Sequence, residues 1–101
     1  MLVGQRNIAL GDTRRFHVRY SDWLTKGAKI TTAPTVTVPA GTSSHIGTST
    51  IAPGVDPDEQ GVFFYVVSGS VLNEAFTVSI VVTDTLNQVV NDTLNVIIVS
   101  P

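Results

Sequence analysis

The chain has 101 residues, 43% of them hydrophobic and 14% charged, with a formal net charge of −2 and no cysteine. That length suits one domain around one core, the missing cysteines exclude disulfide staples and thiolate zinc sites, and the acidic balance speaks against nucleic-acid binding, which needs a basic surface. A charge content below the roughly 25% of an average soluble domain weakens self-repulsion and suits extensive contact with neighbouring subunits.

Valine and threonine dominate, and their β-branched side chains favour a pleated, half-buried surface over a helix. Met1 to Arg6 lacks the charged leader and apolar stretch of a signal peptide, so synthesis in a cytoplasm is expected. No apolar run approaches the roughly 20 residues of a membrane span. Asn7 to Leu10 reads as a short edge strand, and Gly11-Asp12 supplies a turn. From Arg14 to Tyr20 the chain alternates, with Phe16, Val18 and Tyr20 facing one way and Arg15, His17 and Arg19 the other. This splits the only basic cluster, since Arg14 falls opposite Arg15 and Arg19. The loop that follows carries Trp23 and Leu24, two large apolar side chains expected to fold inward and plug the core.

Lys29 to Val38 reads as a second strand, bent or confined to an edge by Pro34 and closed by Pro39-Ala40-Gly41. His45 to Ala52 is a weak third strand, and Pro53 to Gly61 an exposed acidic loop. Val62 to Val67 is a continuous apolar run, as expected for a strand covered on both faces. Asn73 to Thr83 alternates, placing Phe76, Val78, Ile80 and Val82 on one face. Asp84 to Asn87 forms a hairpin loop, and Gln88 to Val99 returns as the last strand, with Leu94, Val96 and Ile98 on one side. About seven strands and no helix define an all-β, immunoglobulin-like β-sandwich, a single domain over residues 1–101, with a closed barrel as the alternative.

Candidate chemistry is sparse. His17 and His45 have no second ligand at useful spacing and read as surface histidines. Asp56-Pro57-Asp58-Glu59 carries paired carboxylates but lacks the alternating ligands and central glycine of an EF-hand loop. No serine sits in a G-x-S-x-G elbow. Asn91-Asp92-Thr93 matches a glycosylation sequon, which has no meaning without a secretion signal. The expectation is a non-enzyme with no catalytic residue, cofactor or metal. Trp23 as a sugar-stacking platform is the competing use of that side chain.

The segment Phe16-His17-Val18-Arg19-Tyr20-Ser21-Asp22-Trp23-Leu24, followed by Val36-Thr37-Val38-Pro39-Ala40-Gly41, resembles the phage fiber–tail adaptor proteins, in which a strand leads into Ser-Asp-Trp-Leu and a later strand ends in Thr-Val-Pro-Ala-Gly. The likeness continues through Val67-Ser68-Gly69-Ser70 and Phe76-Thr77-Val78, covering Gly11 to Val99. It departs at Asp84 to Leu94, where such proteins carry further Arg and Glu, and in a longer acidic loop at Pro53 to Gly61. The resemblance implies a structural virion protein of a tailed bacteriophage, made in the host cytoplasm, present in several copies and joining tail fibers or tailspikes to the tail. Its partners would be tail and fiber or tailspike subunits, with no nucleic acid and no membrane. Asp22, Trp23, Leu24, Pro39 and Gly41 would then be structural determinants, Asp22 capping its turn and Trp23 filling the space between sheets. A fully buried Trp23 would cost about 3–5 kcal/mol on truncation to alanine. A capsid decoration protein and a carbohydrate-binding module are the alternatives. The free edge at Asn7–Leu10 and the loops at Pro53–Gly61 and Asp84–Asn87 are the expected docking places.

Overall fold

The computed structural model describes residues 2–101, with side chains from residue 4 onward. Eight strands follow in order: β1 (Leu2–Ala9), β2 (Thr13–Arg19), β3 (Thr35–Thr37), β4 (His45–Ile46), β5 (Gly54–Val55), β6 (Gly61–Val67), β7 (Ala75–Thr83) and β8 (Val89–Val99), with one 3-10 turn at Ser49–Ile51. They form two sheets, β1-β8-β7-β3 and β2-β6-β4, with β5 also on β6. The architecture is the all-β sandwich expected, with eight strands rather than about seven, and it is compatible with the immunoglobulin-like group. No helix among the described residues is long and apolar enough to cross a membrane.

Two-residue alternation builds the core. Phe76, Val78, Ile80 and Val82 of β7, Leu94, Val96 and Ile98 of β8, and Val62, Phe64 and Val66 of β6 turn inward and join Ile8 and Ile30 in one cluster. Each such side chain contributes about 1.5–3 kcal/mol by leaving water. Phe64 lies in the middle, with Phe16 tilted against it at 5.7 Å between ring centroids. Truncation of Phe64 to alanine removes about 3–5 kcal/mol.

Four expectations need correction. The apolar run of β6 is not covered on both faces: Val62, Phe64 and Val66 are buried, whereas Phe63, Tyr65 and Val67 are half-buried on the outside. The guanidinium of Arg15, 4.7 Å from the Phe63 ring centroid, shelters that outer side. The Lys29–Val38 strand shrinks to Thr35–Thr37, because Lys29 is bonded to Thr85, and Ile30 to the Glu59 carbonyl at 2.8 Å, instead of to a ladder. The His45–Ala52 strand breaks after Ile46 into the 3-10 turn, so that β4 and β5 share one edge of β6. The edge strand at Asn7–Leu10 begins earlier, at Leu2, and runs parallel to β8.

The connections gather at two ends. At one end lie the loop at 20–34, the β5–β6 turn at 56–60 and the β7–β8 hairpin turn at 84–88; at the other lie 10–12, 38–44 and 68–74. The molecule measures 43 × 27 × 22 Å, long as its strands demand, since the eleven residues of β8 alone span about 36 Å.

Candidate functional site

The Ser-Asp-Trp-Leu segment forms a turn immediately after β2. The Tyr20 carbonyl accepts from the Trp23 and Leu24 amides at 3.0 and 2.9 Å, so the backbone closes the turn by itself. Asp22 is exposed and its carboxylate makes no hydrogen bond among the described residues, which removes the expected cap. Trp23 and Leu24 are half-buried and pack on the rim of the core, not between the sheets. The indole meets the Tyr20 ring edge-on, 5.9 Å apart at 70°. Together with Val18, Asp22 and Val90 the two rings border a cavity of about 210 Å³.

Beneath that cavity the Tyr20 hydroxyl donates to Asp92 at 2.7 Å. Asp92 lies on the inward side of β8, in phase with Leu94 and Val96, and is 1% exposed. Burial, then the hydrogen bond to Asp92, pushes the Tyr20 phenol above its ordinary value. The sequon at 91–93 thus contains a buried residue inside a strand.

The acidic loop is not free. Asp56 is buried, its carboxylate bonded to the His17 ring and to the Arg19 guanidinium at 3.0 Å. Arg19 also grips Asp58 with two parallel bonds of 2.9 and 2.7 Å. Burial alone would raise the Asp56 pKa, but His17 and Arg19 together hold it below the usual carboxylate range, and Arg19 does the same for Asp58. Gly61 is required beneath this network, since a Cβ there would stand 2.4 Å from the Asp56 oxygen. His17 is therefore the partner of a buried carboxylate and not an isolated surface histidine.

At the opposite end, Pro39-Ala40-Gly41 forms the expected turn, closed by the Thr42 amide on the Pro39 carbonyl at 3.2 Å. Gly41, at φ +86°, takes the left-handed position that a type II turn demands at its third residue. The chain then meets Glu74, whose carboxylate accepts from the amides and hydroxyls of both Ser43 and Ser44 at 2.8 to 3.1 Å. Burial would raise the Glu74 pKa, but these four donors hold it below its ordinary value. Ser44, fully buried, uses its hydroxyl oxygen to accept the Gly69 amide at 2.9 Å.

Asp22, Trp23 and Leu24 therefore sit together at one end, and Pro39 and Gly41 at the other. The hairpin loop at Asp84–Asn87 joins the first group: Asp84 Oδ1 accepts the Leu86 and Gln88 amides at 2.8 and 2.9 Å. Among the described residues no three His, Cys, Asp or Glu side chains are grouped so as to hold a metal ion. No protein-family model matches the chain, and no curated protein matches it.

Proposed function

We propose that this protein is a structural assembly joint. Within that class the reading is an adaptor of a tailed bacteriophage particle that joins fibers or tailspikes to the tail. The observation that carries it is the placement of the two turn motifs, on which the resemblance rests, at opposite ends of a sandwich 43 Å long. A body with an exposed turn cluster at each end can hold two neighbours apart at a fixed distance. The outermost strands β1 and β2 add backbone groups that a neighbour can pair by strand addition. The test is immunogold labelling of particles made from the genome that encodes this chain. Gold at the junction of tail and fiber supports the adaptor. Label spread over the shell supports a decoration protein instead, and label nowhere on the particle overturns both.

A second reading draws on Trp23, whose partly buried indole borders the 210 Å³ cavity beside Asp22 and Arg19. An aromatic face with flanking polar groups is the chemistry of a sugar subsite. A glycan array decides it: binding lost in Trp23→Ala supports the carbohydrate module, and a blank array removes it.

A further inference from the structure

The outer faces of the two sheets differ in charge. On β2 the outward residues are Arg15, His17 and Arg19, whereas the outward side of β1-β8-β7-β3 carries no charged residue among those described. Its residues are Thr, Ser, Asn, Gln, Ala, Val and Ile, repeated at every second position of four neighbouring strands. Loss of charge is the compositional mark of an interface centre. A charged partner laid here would lose hydration without finding a counter-charge, so the occupant must itself be neutral.

Exposed apolar side chains stand at both ends of this face. Among the described residues the exposed large hydrophobics are Val71, Leu72, Leu86 and Val89, at 46 to 57% exposure. Val89 lies opposite Thr83, beside Leu86 in the hairpin turn. Val71 and Leu72 lie in the turn that enters β7, tied to the end of β8 by the Asn73 amide on the Ile98 carbonyl at 2.8 Å. On the face beside them is a shallow depression of about 290 Å³, bordered by Gln5, Ala75, Thr77, Asn95 and Ile97. Both ends thus carry exposed apolar side chains, and one of them also carries a hollow.

We propose that this face docks a second copy of the same chain. The register supplies the symmetry: Ser79 opposite Thr93 lies midway between the Ala75–Ile97 and Thr83–Val89 pairs. A two-fold axis through that midpoint, lying in the plane of the contact and perpendicular to the strands, brings Val89 of each copy over the depression of the other, and Leu86 toward Val71 and Leu72. The contact is isologous, as two-fold dimers require. Four strands about 4.8 Å apart and up to about 30 Å long offer roughly 500 Å² per copy, or about 1,000 Å² in total, the lower bound for a specific interface. The dimer is accordingly weak, and holds by shape and apolar contact with little help from charge.

Sedimentation equilibrium of the purified chain tests it. The expected result is a reversible dimer with a Kd on the order of 10 to 100 μM, unaltered between about 0.05 and 1 M NaCl. Ser79→Arg, at the centre of the face, weakens it at least tenfold, while Thr13→Arg on β2 leaves it intact, with circular dichroism confirming that both variants fold. A monomer throughout the range overturns the proposal, as does a dimer that salt dissociates or that Ser79→Arg leaves unchanged. A monomer leaves the assembly joint standing, because that reading is decided on the particle.

Discussion

The two ends of the sandwich perform the same task by different means. At the Trp23 end, ion pairs close the structure: Arg19 on β2 holds Asp56 and Asp58 of the β5–β6 turn, and the His17 ring is hydrogen-bonded to Asp56. At the Gly41 end, a single carboxylate, Glu74, collects four neutral donors from Ser43 and Ser44. A partly exposed pair of opposite charges is screened by salt, whereas neutral donors converging on one carboxylate carry no countercharge for salt to screen. The first end should respond to salt and the second should not.

Glu74→Ala is the largest expected disruption of this comparison. It leaves the fully buried Ser44 hydroxyl and the neighbouring amides without their acceptor, and should cost about 2–3 kcal/mol in a urea titration, with little dependence on salt. Trp23→Ala, at the other end, should cost about 1–2 kcal/mol, less than a fully buried aromatic, because the indole lies on the rim of the core and is only partly buried. A loss equal to that of Phe64→Ala would show that Trp23 belongs to the centre of the core after all. Arg19→Ala should have the smallest effect at high salt, and its destabilisation should grow as NaCl is withdrawn.

Titration sharpens the contrast further. Asp56, Asp58 and Glu74 all have folded pKa values below their ordinary ones, so each contributes stability at neutral pH that disappears as acid protonates it. Both ends should therefore weaken together below about pH 4. Tyr20 has a raised pKa, so its contribution is complete below the ordinary value of 10.0 and is lost as pH climbs beyond it. That alkaline decline belongs to the Trp23 end alone, and thermal melts of Tyr20→Phe above pH 10 should lack it.

Strands whose pattern is local could be read from the sequence. The alternation at Phe16–Tyr20, Phe76–Val82 and Leu94–Ile98 is carried by each segment alone, and the structure keeps its phase. The positions of Lys29 and Ile30 could not be read, because Thr85 and Glu59, far along the chain, fix them. The same holds for the acidic loop, whose partners His17 and Arg19 are 37 to 39 residues away. Other features carry their signal in the strand phases and in single charged residues. Extending the phase of β8 backward from Leu94 places Asp92 inward, on the side to which β2 turns Tyr20, so a buried tyrosine–carboxylate pair is legible. Glu74 stood as a lone carboxylate ahead of an uncharged strand, with Ser43-Ser44 as available donors.

Two-endedness is the claim on which the functional reading depends, and photo-cross-linking in assembled particles tests it directly. A photoreactive residue at exposed Asp22 and another at exposed Ala40 report the neighbours of the two ends separately. Two different partner proteins, one from each position, are the predicted result. The same protein captured at both positions, or none at either, would contradict it.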